Sequence, residues 1–282
     1  MAVRDERTES LRVQLYRQMT PEERMTIAAQ MFEDALSIVR SSIRDQHPSI
    51  SPEALEREVR RRLLGETGAG PGQELRDGSE AYHLRDGDGG MTGRDVLLQI
   101  LEALETLDIP YMIVGSFAST YWGRPRMTHD ADLLVEIPAA KVAALARSLA
   151  PDFYAPDFVI EEAARNQNQF NAIHSRTAFK VDFWFRQNTP YDRERFKRRR
   201  RGTIFGRQAW ITTAEDVILS KLVWYRTSPG QTRQLQDALE VYEIQEPDLD
   251  RDYLHHWAGV LGMADLLLEI QREGIYHNRR YS

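Results

Sequence analysis

The chain has 282 residues and a formal net charge of -6, with 41% hydrophobic, 9% aromatic and 28% charged residues, which suits one large or two smaller water-soluble domains with ordinary cores. No apolar run approaches the roughly 20 residues of a membrane span, and the first seven residues lack the apolar segment of a secretory signal, so a cytoplasmic protein without membrane contact is expected. The absence of cysteine excludes disulfides, thiolate metal sites and a cysteine nucleophile; the acidic balance argues against wholesale attraction to nucleic acid but leaves room for a local basic groove.

Residues 1–64 read as a helical hairpin. Thr20-Pro21-Glu22-Glu23 combines an N-cap, a proline at the first helical position and acids in the first turn. A second start, Ser51-Pro52-Glu53-Ala54, leads to Leu55, Val59, Leu63 and a stop at Gly65. Two such helices make a poor core alone, so they are expected to dock on the rest of the chain or on a second copy. Residues 65–90, rich in glycine and charge without apolar periodicity, read as a flexible linker. Met91-Thr92-Gly93 then opens an amphipathic helix, and the unit it begins reads as self-contained.

Within residues 91–212 an α+β core is expected: a mixed sheet with flanking helices, followed by a helical part over 213–282. Tyr111-Met112-Ile113-Val114 is a short strand ending at Gly115, with a helix opening at Ser116. The acids Asp130 and Asp132 begin a strand that Pro138 closes, and a helix follows over 139–149. Residues 170–174 and 179–185 fit a hairpin, with Asp182 on its second strand. Trp210 and Ile211 form a short strand, Thr213 opens a helix, and the remainder is helical over 217–225, 231–243 and from 250 onward.

Residues two apart in a strand point to the same side, so Asp130 and Asp132 present two carboxylates to one small volume. The usual resolution of that repulsion is a hard cation such as Mg²⁺ (or Mn²⁺), which takes one or two carboxylates, waters and substrate phosphate oxygens. Gly115 permits a sharp turn and close backbone approach, so amides of the following helix, with the Ser116 hydroxyl, meet phosphate. Asp182 sits beside Val181, Phe183 and Phe185, which mark a buried strand, and so needs a partner or an ion. Each feature also has a plainer reading: Gly115-Ser116 as a simple strand-to-helix turn, the acids as edge residues, Lys221 as an exposed helix lysine.

In this order the set resembles the signature of the nucleotidyltransferase superfamily. Gly123-Arg124-Pro125-Arg126-Met127-Thr128-His129-Asp130, the stretch from Thr213-Ala214-Glu215-Asp216 to Ser220-Lys221-Leu222, and Arg233-Gln234 with Asp237 are similar to its AbiEii-like branch, the toxin component of some toxin-antitoxin systems. The likeness spans most of residues 91–270. It implies a nucleoside triphosphate such as ATP as substrate, Asp130, Asp132 and Asp182 as metal-binding and catalytic residues, and Gly115, Ser116, Ser119, Lys221, Arg124 and Arg126 as nucleotide-binding residues. Asp182 serves a second metal or accepts the acceptor's proton. Tyr225, Arg233 and Asp237 are accessory candidates, with Tyr225 flanking a base or ribose and Trp224 given to core packing; Arg233 and Asp237 equally suit a surface ion pair. The branch usually has a lysine before that aspartate, where this chain has Gln236.

Arg124 and Arg126 bind phosphate of a nucleotide or an RNA, or balance the acids. The run Lys197-Arg198-Arg199-Arg200-Arg201 grips an RNA backbone or is a solvated helix end. His129 points to the strand face opposite the acids. The expected activity is Mg²⁺-dependent transfer of a nucleoside monophosphate to tRNA, a protein or a small molecule, with residues 1–64 as a regulatory segment or an antitoxin as partner. The alternatives are a non-catalytic binding module of the same fold and an antibiotic-modifying nucleotidyltransferase.

Overall fold

The computed structural model describes residues 6–64, 91–228 and 230–279. The linker expected over 65–90, with the stop at Gly65, lies outside the described residues. Helix α2 (Pro21–Gln46) starts where its cap requires: the Thr20 amide donates to Glu23 Oε2 (2.7 Å) and the Glu23 amide to Thr20 Oγ1 (3.2 Å). Helix α3 (Pro52–Leu64) opens with the Ala54 amide donating to Ser51 Oγ at 3.2 Å. A further helix, α1 (Glu6–Gln18), precedes them, so the described N-terminal segment has three helices where the sequence suggests two. Its buried residues include Glu9, Ser10 and Val13 while Leu11 and Leu15 are exposed, so it carries no apolar stripe to reveal it.

A seven-stranded mixed sheet forms the centre, in the order β3-β4-β5-β2-β1-β7-β6. The strands are β1 (Tyr111–Val114), β2 (Asp130–Val135), β3 (Phe153–Tyr154), β4 (Gln169–His174), β5 (Lys180–Phe185), β6 (Arg200–Ile204) and β7 (Arg207–Ile211). Pairs β2/β5 and β1/β7 are parallel, and the others antiparallel. One face, with Ala131, Leu133, Val135, Val181, Phe183 and Phe185, packs in the main core with α4 (Gly93–Thr106), α5 (Gly115–Trp122), α6 (Val142–Leu149) and α7 (Asp157–Asn166). Phe170 and Phe183 stack there at 4.5 Å between ring centroids. Among the described residues the other face carries the small cluster of Met112, Leu134 and Phe196, with Val114, Trp184 and Trp210 partly buried against it, which leaves room beside it for polar side chains. The α+β class expected from the sequence is the one observed.

Strand β3 and helix α7 are additions to the sequence-based expectation, and β6 begins within the basic run, after α8 (Pro190–Lys197) ends. The helical part consists of α9 (Ala214–Thr227), α10 (Thr232–Gln245), α11 (Arg251–Val260) and α12 (Ala264–Arg279). The single helix expected from residue 250 is broken at Gly262, whose φ of 71° takes the chain out of the helix. No described helix is long and apolar enough to cross a membrane.

The N-terminal helices share the main core. Met25 belongs to it, whereas the far end of α2 pairs with α3 in a separate cluster of Leu36, Ile43, Leu55 and Val59. Buried Arg24 is the polar anchor: Nε and Nη2 donate to the Tyr121 carbonyl (3.1 and 2.7 Å), and Nη1 to the carbonyls of Tyr16 (2.9 Å) and Met19 (2.7 Å). A cation thus closes the C-terminal end of α5, where the helix dipole is negative. Burial pushes the Arg24 pKa down to about 10, which still leaves it charged at neutral pH. Replacing Arg24 with Met strands these carbonyls and is expected to cost roughly 3 kcal/mol. Chemical denaturation of the full chain checks this, and an unchanged midpoint would show that the anchor contributes nothing.

Candidate active site

Strands β2 and β5 run parallel in register, pairing Asp130 with Lys180 and Asp132 with Asp182. Alternation then sends Ala131, Leu133, Val181 and Phe183 into the core and places Asp130, Asp132, Lys180 and Asp182 together on the opposite face. Lys180 Nζ lies 2.7 Å from Asp182 Oδ2 and 3.9 Å from Asp130 Oδ2. Burial opposes its charge, but the bond to Asp182 and the charges of Asp182, Asp130 and Asp132 outweigh this and raise the Lys180 pKa. Asp132 has no ion pair among the described residues, only the more distant charge of Lys221. Trp184 Nε1 donates to its Oδ1 at 3.3 Å, yet burial, then the charges of Asp130 and Asp182, push its pKa above the ordinary carboxylate value.

Two hard carboxylates on one face, one of them desolvated and repelled, fit a divalent cation that fills its remaining positions with water and phosphate. Asp182 is on the same face but already engaged by Lys180. Among the described residues no group of three or more His, Cys, Asp or Glu side chains is arranged to hold a metal by itself.

Gly115 joins β1 to α5 at φ 59°, and a Cβ there would lie 1.9 Å from Asp132 Oδ2. Only glycine lets the backbone turn this close to the carboxylate. Val114 gives α5 no side-chain cap, so the first amides of the helix face the site without one. Beside them stands a cationic cluster. Arg126 Nη2 donates to Ser116 Oγ (2.6 Å) and lies 3.1 Å from Asp237 Oδ2. Lys221 Nζ is 2.9 Å from the same oxygen, and Arg233 Nε 2.8 Å from Oδ1. Three cations therefore meet on one buried carboxylate, with Glu240 adding a second anion 3.4 Å from Arg233 Nη2. Gln236, in the position where the resemblance implies lysine, donates to Glu240 Oε1 at 2.8 Å.

Carboxylates and cations border one cleft of about 500 Å³, lined by Gly115, Ser116, Asp130, Asp132 and Lys221, within the size range of ligand sites. Trp184 and Trp224 form part of its wall, edge to face at 5.9 Å, and Asn168, Gln187, Gln231 and Gln234 add neutral amides. Arg195 enters from α8, with Nε on Asp192 Oδ1 (2.7 Å) and Nη1 on Ser220 Oγ (3.2 Å). Sequence reasoning missed Lys180, Arg195 and the amides. Lys180 was within reach, since it lies two residues before Asp182 on a strand and must share its face.

Several residues proposed from sequence lie elsewhere. Ser119 is buried and donates to the Gly115 carbonyl at 3.0 Å, a bond within α5, away from the cleft. Arg124 is held between Glu9 Oε2 (2.7 Å) and Glu243 Oε2 (2.8 Å), tying α1 and α10 together. Tyr225 packs against the main core, while its neighbour Trp224, 46% exposed, takes the cleft wall, the reverse of the assignment from spacing. The basic run is dispersed. Arg198 lies over Tyr253, Arg199 over Phe196 and Trp210, and Arg201 pairs with Glu105. Each of these arginines, like Arg124, contacts other side chains of the protein. His129 sits against Phe32 of α2.

Residues 17–82 match the family model described as Rv0078B-related antitoxin. No curated protein sequence matches the chain. Among solved structures it is similar to an antigenic nucleotidyltransferase-like protein from Paracoccidioides brasiliensis, 18% identical, with 53% of this chain and 74% of that one covered and a TM-score of 0.40. It is also similar to the antibiotic-resistance factor ANT(2'')-Ia in solution (16% identity, 64% and 96% covered, TM-score 0.41). The crystal structure of ANT(2'')-Ia with adenylyl-2''-tobramycin gives 14% identity, 60% and 95% coverage and a TM-score of 0.39.

Substituting Gly115 with Ala should destabilise the protein by at least about 1 kcal/mol through the left-handed backbone, and by more through collision with Asp132. Part of that cost should disappear when Asp132 is also Ala, because the closest atom is then gone. A double-mutant cycle of thermal unfolding measures this coupling, and strict additivity would contradict the contact.

Proposed function

We propose that this chain is a nucleotidyltransferase that moves a nucleoside monophosphate from a nucleoside triphosphate to an acceptor hydroxyl. The observation that carries this reading is one cleft lined by the Asp130 and Asp132 carboxylates, by Gly115 and Ser116 at the start of α5, and by Lys221, whose ammonium shares Asp237 with Arg126 and Arg233. A triphosphate has the charge and length to lie between such walls, with its oxygens toward the α5 amides, Ser116 and Lys221. The tryptophans give a base a surface to pack on.

Asp130 and Asp132 would hold Mg²⁺ or Mn²⁺, which when bound draws charge from phosphate oxygens. Asp182, whose pKa burial raises above the ordinary carboxylate value although Lys180 opposes this, is suited to accept the acceptor hydroxyl's proton. The acceptor oxygen attacks the α-phosphorus, the bond to the bridging oxygen breaks, and pyrophosphate leaves toward the cationic wall. Lys221 and Arg126 meet the growing charge there without moving far, which is how preorganised electrostatics lowers a barrier.

The match of residues 17–82 to an antitoxin family supports a regulatory role for the N-terminal segment within a toxin-like enzyme. None of the described residues 6–64 lines the cleft. The segment would act through Arg24 on α5 and through Glu9 on the loop carrying Arg124 and Arg126. Glu9→Gln loosens the second contact and leaves Arg124 paired with Glu243. Transfer and growth inhibition are expected to rise severalfold with that variant, and unchanged values would remove the restraining role.

The decisive experiment is incubation with each labelled nucleoside triphosphate, Mg²⁺ and, in turn, tRNA, protein and aminoglycoside acceptors. Transfer should fall by about 10³-fold in Asp130→Ala and about 10²-fold in Lys221→Ala, and vanish on chelation of the metal. No transfer to any acceptor, with no nucleotide binding by calorimetry, would sink the catalytic reading. The pH profile offers a separate check. Only ionised Asp132 is a ligand, and without the cation its pKa is raised, so binding of the metal at subsaturating concentration should weaken on acidification at a pH above the ordinary carboxylate value of about 4.

A further inference from the structure

Lys180 occupies an unusual place for a cation. It is the register partner of Asp130, shares the acid face of the sheet, and its ammonium contacts Asp182 directly while approaching Asp130. Its side chain is 37% exposed, at the rim of the acid cluster. We infer that Lys180 is a built-in counterion, so that the site takes one divalent ion, on Asp130 and Asp132, and keeps Asp182 free of metal. This rests on the nucleotidyl-transfer reading and goes beyond it by deciding between the two roles open to Asp182.

Two observations lead to this. The first is space: the Lys180 ammonium lies 2.7 Å from Asp182 Oδ2. A divalent ion on that same oxygen, at its usual distance of about 2.1 Å, would sit less than about 5 Å from the ammonium. Like charges at that separation in a half-buried site repel strongly. The second is charge. Three carboxylates against one ammonium leave two negative charges, the amount that one divalent ion neutralises. A second ion would leave the acid wall positive, although the opposite wall already supplies cations to the phosphates. Lys180 is in this sense a positioning residue. It acts through Asp182, holding the carboxylate in place by direct contact with Oδ2.

The test counts ions. Full-length protein is titrated with Mn²⁺ in the presence of the four α,β-methylene nucleoside triphosphate analogues, with binding followed by calorimetry and electron paramagnetic resonance. The wild type should bind one Mn²⁺ per chain. Lys180→Met, and Lys180→Gln as a second variant, should bind two, with the spin-coupled spectrum of ions about 4 Å apart. Lys180→Arg should retain one. Adding Asp182→Asn to Lys180→Met should return the count to one. Circular dichroism and unfolding temperature confirm that each variant is folded. Two ions in the wild type, or a single ion in both folded Lys180→Met and Lys180→Gln, would overturn the inference and leave the transfer reading standing. No Mn²⁺ in the wild type with any analogue would remove the transfer reading and the inference together.

Discussion

The parallel pairing of β2 with β5 is the constraint on which the site depends. The two strands lie in the interior of the sheet, flanked by β4 and β1, so each is hydrogen-bonded on both sides. Their register brings Asp132 beside Asp182 and Asp130 beside Lys180. A slip of one residue would carry the charged set into the main core and bring Phe183 and Val181 out of it, exchanging several buried apolar side chains for unpaired charges. Burying a phenylalanine is worth about 2–3 kcal/mol, so the core face enforces the geometry of the acid face. Stability and candidate chemistry thus sit on the two sides of the same strands.

Helix α5 links this pair to the N-terminal segment. At eight residues it is about 12 Å long, with Gly115 pressed against Asp132 at one end and Arg24 on the Tyr121 carbonyl at the other. A short helix held at both ends by polar contacts cannot shift at one end without straining the other. The loop after it is tied down by Arg124 between Glu9 and Glu243, and two residues later Arg126 reaches Ser116 and Asp237. The N-terminal helices therefore bear on the candidate site through its scaffold, from a position outside the cleft.

Local patterns in the sequence revealed the elements that build the site. The period-2 acids, the glycine between an apolar strand and a helix, the cap at Thr20 and the helix starts at Thr92 and Thr213 all depend on neighbours within a few residues, and each falls where the structure has it. Whether Arg124 meets phosphate or balances acids is open in the sequence, and the two acids that it meets, Glu9 and Glu243, are each more than a hundred residues away. No local pattern distinguishes an arginine that will meet them from one that will meet phosphate. Tyr225 and Trp224 were exchanged for a related reason. Adjacent residues on a helix point about 100° apart, and which of them faces the cleft depends on how α9 lies against its neighbours. Helix α1 escaped notice because charge, more than an apolar stripe, holds it in place.

Both walls of the cleft carry charge that the protein leaves incompletely balanced. On one side Asp132 is desolvated beside two other carboxylates, and Lys180 favours Asp182 and Asp130. On the other side three cations share Asp237, with Glu240 the next anion. Each wall would be more comfortable with the opposite charge placed against it, and the two serve one another only in part, since the acids belong to strands fixed by the core while Lys221, Arg126 and Arg233 are held on Asp237. A ligand that brings a cation to the first wall and phosphates to the second relieves both at once. Such a site sacrifices some stability of the empty fold, and ligand binding, which favours only the folded state, restores it by mass action.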